Sequence, residues 1–238
     1  MRIHGANKVA YETNLDPNYT PTINQPRQDD LPIQITGSAG TISQWDNVAV
    51  SKDGFKLALI SSLVDSSIYI VDFSGANARA FQFKLFNPTT AQGGATTGGV
   101  LYADAISWDF SGEYLMYDAF NRIPNSQGQN LEYSDVGFIR VWNNATNNQG
   151  DGMITKLFTN LPEGINVGNA EFSSNSPYII AFDYFDQNGT TADVLAANIE
   201  AGNVGNVFLG SEVLGYPNFS TDDTKMIFNA KSTGGNDV

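Results

Sequence analysis

The sequence predicts an all-β chain assembled from tandem four-stranded units, on three observations. A strand–turn–strand pattern recurs four times. Polar positions are filled by Gly, Asn, Ser and Thr, and only 16% of residues are charged. No stretch sustains a helical period of apolar residues beyond about two turns. Asn, Ser and Gly favour turns that compete with helix, so this composition suits short strands.

The repeat occupies residues 47–59, 105–117, 169–181 and 216–228. Each copy reads as a short apolar strand, a polar turn and a second apolar strand. Aligned on the turn, Val50, Trp108, Phe172 and Phe219 are equivalent, 58, 64 and 47 residues apart. Asp53-Gly54, Ser111-Gly112, Asn175-Ser176 and Asp222-Asp223 are expected to link first strand to second on one face of the assembly. Strand alternation puts Val48, Ile106 and Ala170 on the same face as Val50, Trp108 and Phe172, so all are expected to be buried, with Phe219.

Third strands are predicted at 67–73, 137–142 and 193–199, and fourth strands at 79–85, 153–158 and 206–209. These runs hold β-branched and apolar residues suited to a pleated surface. Turn chemistry separates them: Ser74-Gly75, Asn147-Asn148-Gln149-Gly150 and Gly202-Asn203. One such sheet cannot bury both faces, whereas stacking neighbours does, which explains the tandem arrangement.

The run Val50-Ser51-Lys52-Asp53-Gly54-Phe55-Lys56-Leu57-Ala58-Leu59, followed by Ile68-Tyr69-Ile70-Val71-Asp72-Phe73-Ser74-Gly75, resembles the TolB-type β-propeller repeat. The later copies drift: the turn Gly54 and Gly112 become Ser176 and Asp223, and Asp53 becomes Ser111 and Asn175. Phe138-Ile139-Arg140-Val141-Trp142 is similar instead to a strand of a WD-repeat blade, also a propeller. The resemblance covers about residues 33–238 and implies a partial propeller: three full four-stranded blades and two partial ones. The blades are expected at about 37–86, 87–159, 160–210 and 211–238, the last incomplete and more chain expected beyond it. Residues 1–36 are expected to hold a partial blade, with 8–13 as a second strand, 32–36 as a last strand and a Pro- and Asn-rich loop at 14–30.

Charge and residue inventory narrow the chemistry. A net charge of −13 repels nucleic acid and anionic membranes. No window approaches the ~20 apolar residues of a membrane span. Cysteine is absent, which removes disulfides, thiol nucleophiles and zinc–thiolate sites. His4 is the sole histidine, so a Ser-His-Asp triad would have to use it, and a multi-histidine zinc site is impossible. There is no Gly-x-Ser-x-Gly elbow, no phosphate loop and no dinucleotide fingerprint. Asp183, Asp186 and Asn188 cluster oxygens as a calcium site would, but at the wrong spacing, and Asn188-Gly189 reads better as a hairpin tip. No metal or cofactor is expected.

The resemblance implies a non-catalytic binding or scaffold module of an exported bacterial protein, in the periplasm, at the cell surface or secreted. Two alternatives stand beside it. One is the gating propeller of a prolyl-oligopeptidase-type serine peptidase whose hydrolase domain lies elsewhere. The other is a glycosidase with paired carboxylates among the 25 acidic residues. In a propeller the first strands line the central channel, and their entry ends open opposite the repeat turns. The entry residues are Trp45, Asp46 and Asn47, then Tyr102 and Asp104, then Asn169 and Tyr216. Arg122, in an apparent loop at 121–135, is expected on the same face, and residues 87–99 form a second long connection. Aromatics beside carboxylates and amides suit a peptide, protein or glycan ligand.

Overall fold

A computed structural model describes residues 2–4, 9–11, 45–61, 65–88, 98–125 and 127–231. The chain divides into two compact units, Met1–Trp45 and Asp46–Val238. In the first, β1 (Arg2–His4) and β2 (Val9–Tyr11) pair antiparallel, Arg2 opposite Tyr11. Strand β2 falls within the strand expected at 8–13; the strand expected at 32–36 and the loop at 14–30 lie outside the described residues.

The second unit is all-β and is built of propeller blades. Blade one is β3 (Trp45–Val50), β4 (Lys56–Ser61), β5 (Ser67–Asp72) and β6 (Arg79–Lys84), hydrogen-bonded in that order. Blade two is β7 (Val100–Trp108), β8 (Tyr114–Pro124), β9 (Asn130–Arg140) and β12 (Ile154–Lys156). Between its last two strands lies a small hairpin, β10 (Trp142–Asn143) and β11 (Asn148–Gln149), which turns at 144–147, so Asn148 and Gln149 of the expected turn are paired strand instead. Blade three is β13 (Ile165–Phe172), β14 (Ile179–Asp186), β15 (Ala192–Asn198) and β16 (Asn203–Ser211). A fourth repeat contributes β17 (Asn218–Phe219) and β18 (Met226–Ile227). No helix among the described residues is long and apolar enough to cross a membrane.

All four repeat turns link a first strand to a second. Gly54 (φ 77°), Gly112 (φ 68°) and Asp223 (φ 56°) occupy the same left-handed position, which Gly adopts freely and Asp tolerates better than most residues. In each of those turns its amide donates to the carbonyl three residues back: Ser51, Asp109 or Ser220. The third turn differs. Ser173 N–H bonds to Ile179, six residues on, where Ser51, Asp109 and Ser220 reach only five residues on, to Lys56, Tyr114 and Lys225. One extra residue therefore lies in this turn, and Ser176 escapes the left-handed position. The expected alignment of the third second strand is corrected by one: Phe172 faces Ile180 as Trp108 faces Leu115.

The blades stack through their apolar faces. Ile60, Ile68, Ile70 and Phe83 of blade one share a core with Ile106, Trp108, Leu115 and Ile139 of blade two. Met116 and Val136 of blade two share another with Val167, Phe172, Ile180 and Phe182 of blade three. Strand β4 is buried along its whole length, which is why its run Leu57-Ala58-Leu59-Ile60 is continuously apolar rather than alternating.

Trp108 and Phe172 are buried, with Ile106 and Ala170 beside them. Val50 is not: it is 40% exposed, and Val48 and Phe219 are only half-buried. The burial expected of Val50 fails because Trp108 and Phe172 each pack into an interblade core, whereas neither core takes in Val48 or Val50. The connection expected at 121–135 is also corrected. Strands β8 and β9 stay paired out to Pro124 and Asn130, so it is a long hairpin, closed beyond that pair by Asn125 N–H on Gln129 O. Of the connection expected at 87–99, residues 89–97 lie outside the described residues.

Candidate functional site: the groove between the first strands

Strands β3, β7, β13 and the start of β17 converge on one groove of ≈ 680 Å³. Its walls are residues at matching positions of the repeat. Asn47, Ala105, Asn169 and Tyr216 form one layer, and Ala49, Ser107, Glu171 and Asn218 the next. At the turn end Lys52 reaches across from blade one. Its ammonium lies 3.7 Å from the centre of the Phe110 ring and donates to Ser174 O (2.8 Å) and Asn175 Oδ1 (3.2 Å). Lys52 thus ties three blades together at that end.

Two buried carboxylates shape the opposite end. Strand β7 bulges between Ala103 and Ile106, and β13 between Gly168 and Glu171. A bulge takes backbone amides out of the ladder, and these need other acceptors. Asp118, on β8, supplies them for blade two: its Oδ1 accepts from Ala105 N–H and from Asp104 N–H (3.2 Å). Its Oδ2 accepts from Asn169 N–H of blade three at 3.2 Å. Asp183, on β14, repeats the scheme one blade on, accepting from Gly215 N–H (2.9 Å), Tyr216 N–H (3.0 Å) and Asn169 Nδ2 (2.8 Å). Asn169 (φ 51°) and Tyr216 (φ 47°) are both left-handed, which aims their amides at these acids. For a bulky residue such as Tyr216 that conformation is strained. Burial pushes the Asp118 carboxyl up to about 6 and raises that of Asp183, against the pull of the amides each accepts.

Among the described residues two acids line the groove: Asp109, at the turn end, accepts the amides of Ser111, Glu113 and Tyr114, and Glu171 stands in the second wall layer. Glu171 accepts from Ser107 Oγ through Oε1 (3.0 Å), while Ser107 Oγ accepts Phe172 N–H (3.2 Å). Burial drives its carboxyl up to about 7, which Ser107 only partly offsets.

The residues expected at the entry separate into two groups. Asn47, Asn169 and Tyr216 line the groove together. Asp46 and Asp104, expected at the same mouth, are exposed and are not among the lining residues; Asn47 Nδ2 donates to Asp104 O at 3.0 Å, joining blades one and two. The Asp104 carboxyl is raised by partial burial and by the charge of Asp46, which places the two acids within electrostatic reach. Tyr102 is not among the lining residues; it stacks on Phe120, centroids 5.3 Å apart. Nor is Arg122, which pairs with Glu132 at 2.6 Å across the β8–β9 hairpin. Trp45 is buried at the start of β3. Among the described residues no three acidic or histidine side chains gather as a metal site. Asp183 serves backbone amides, while Asp186 accepts from Thr190 and Thr191 in the β14–β15 hairpin, whose tip is Asn188-Gly189 as expected.

Sequence reasoning missed Asp118 and Glu171, and weighed Asp183 only as part of a calcium cluster, not as an acceptor of interblade amides. The signal for Asp118 and Asp183 is an Asp at the end of an apolar run between aromatics, in Tyr117-Asp118-Ala119-Phe120 and Phe182-Asp183-Tyr184-Phe185. It emerges only once the third turn is given its extra residue. Glu171 stands where the other copies hold Ala49, Ser107 and Asn218.

No family model and no curated protein matches the chain. Among solved structures it is similar to TolB from Acinetobacter baumannii, with 16% identity and a TM-score of 0.48 over 80% of this chain and 39% of that one. Another is putative TolB from Agrobacterium tumefaciens, with 14% identity and a TM-score of 0.41 over 79% of this chain and 70% of that one. A third is the Cps50 (Swd1) β-propeller domain of Myceliophteria thermophila, with 12% identity and a TM-score of 0.40 over 79% and 49%. The chain therefore spans well under half the length of the first of these structures.

Proposed function

We propose that the chain is a non-catalytic propeller module of an exported protein that binds a peptide, protein or glycan in the groove between its first strands. The observation that carries this reading is the convergence of Asn47, Asn169 and Tyr216, from three repeats, on one groove of ≈ 680 Å³. That volume lies in the range of small-ligand sites. The lining combines amides, a hydroxyl, a carboxylate and an exposed Tyr216 ring, groups that can fix a polar ligand with an apolar face. Export is supported by the resemblance of the repeat to TolB-type blades.

The test is a combined peptide and glycan array, with hits measured by calorimetry. The single variants Asn218→Ala and Tyr216→Asn, both at exposed positions that line the groove, are expected to weaken binding at least about tenfold while leaving the thermal midpoint nearly unchanged. Asn is chosen because it tolerates the left-handed backbone at Tyr216. Hits that bind all variants equally would place the ligand elsewhere.

A further inference from the structure

We infer that the groove selects a cationic ligand, an ammonium-bearing side chain of a peptide, which it receives on Glu171. The inference rests on the channel-groove reading above and deepens it.

Four observations combine. First, Glu171 is the one acidic side chain in the wall layers of the groove, in a repeat position that is otherwise small or neutral: Ala49, Ser107 and Asn218. Second, the site is built. Ser107 Oγ is held by Phe172 N–H and directs its own proton to Glu171 Oε1, so the carboxylate is oriented from one side. Among the described residues Oε2 carries no hydrogen bond, which leaves one oxygen with acceptor capacity. Third, among the described residues no cation pairs with it. The basic residue lining the groove is Lys52, and its ammonium is taken up at the turn end by Ser174 O, Asn175 Oδ1 and the Phe110 ring. Fourth, Asp46 on β3 and Asp104 on β7 are exposed one residue before the lining Asn47 and Ala105, where their charge attracts a cation toward the groove.

A carboxylate half out of water is costly to ionise alone and is stabilised when a cation hydrogen-bonds to it. An arriving ammonium supplies that partner, and the neighbouring amides of Asn47, Asn169 and Asn218 can accept its remaining protons through their carbonyl oxygens. An anionic ligand meets the opposite situation: among the described residues lining the groove the one cation, Lys52, is already engaged, and Glu171 repels the anion.

The experiment uses the full chain and three blocked pentapeptides, Gly-Gly-X-Gly-Gly, with X lysine, norleucine or glutamate. Norleucine keeps the alkyl stem and removes the charge. Binding is followed by amide chemical-shift titration and calorimetry. The lysine peptide is expected to bind about tenfold more tightly than the norleucine peptide, the worth of one charge-assisted hydrogen bond. That preference should shrink as salt is raised. In Glu171→Gln the two peptides should bind alike; Gln keeps the acceptor for Ser107, so folding is checked by a thermal midpoint no lower than that of the wild type. A lysine preference that survives in folded Glu171→Gln, or none in the wild type, overturns the inference. If glycans or neutral peptides bind in the groove and lysine confers no advantage, the channel-groove reading stands and the cation reading falls. If no peptide and no glycan binds, both fall.

Discussion

The carboxylate of Asp118, in the second strand of blade two, accepts the backbone amide of Asn169, in the first strand of blade three, at 3.2 Å. Fifty-one residues of chain separate them. Gly168 makes the approach possible: a Cβ there would lie 3.2 Å from Asp118 Oδ2. Asp183 bonds Tyr216 of the next repeat in the same way. A repeated carboxylate latch therefore joins successive blades at the open end of the groove.

Removing the latch should loosen the blade junction. Asp118→Ala leaves the amides of Asp104, Ala105 and Asn169 without their acceptor. A loss on the order of 3 kcal/mol is expected in urea unfolding, since each buried unsatisfied group costs about 1–3 kcal/mol. Amide exchange should accelerate first at Ala105 and Asn169.

The groove acid should leave a signature in the pH dependence of stability. Burial holds the folded-state Glu171 carboxyl at about 7, above its ordinary value of 4.5. Between those two values the folded protein keeps a proton that the unfolded chain has lost. The Glu171 contribution is therefore most favourable below about pH 4.5 and declines as the pH rises to about 7. Relative to the wild type, Glu171→Gln should become progressively more stable across that window. Parallel pH profiles in a thermal unfolding assay would refute the assignment.

The aligned hydrophobic positions should differ sharply in cost. Trp108 is 8% exposed and donates from Nε1 to Ala49 O at 3.2 Å, so Trp108→Ala should cost about 3–5 kcal/mol. Val50→Ala, at the rim of the groove, should cost no more than about 0.5 kcal/mol. Equal losses in denaturant unfolding would contradict the burial described above.

Outside the groove, Lys156 and Asp135 form a buried ion pair, joined by Asn121 Nδ2 to Asp135 Oδ1 at 2.9 Å. Lys156→Met alone should cost about 3–5 kcal/mol, because it strands the Asp135 charge. Adding Asp135→Asn should recover most of that loss, since the amide has no charge to strand and can still bond Asn121. Urea midpoints of the wild type and the two variants measure the difference.

The last lesson lies in particular residues. By itself the sequence determined the all-β class, the four turns, the strand runs and the burial of Trp108 and Phe172. Those features depend on local turn chemistry and on period-two alternation, both of which are written within a dozen residues. The sequence also picked out Asn47, Asn169 and Tyr216, because matching positions of a repeat occupy matching places on the strands. Only the tertiary structure decided the rest. The extra residue in the third turn became visible through the hydrogen bond from Ser173 to Ile179, and it alone brings Asp183 into register with Asp118. Arg122 passed from a binding loop to a paired strand because β8 and β9 keep hydrogen bonding past the end of β7. Val50 lost its burial, and Glu171 gained its place in the groove, through the way the first strands of separate blades face one another. Links between separate blades, such as those of Asp118 to Asn169 and Ser107 to Glu171, join residues some fifty or more positions apart, and the free energy that fixes them is that of blade stacking and interblade hydrogen bonds, which no local pattern records.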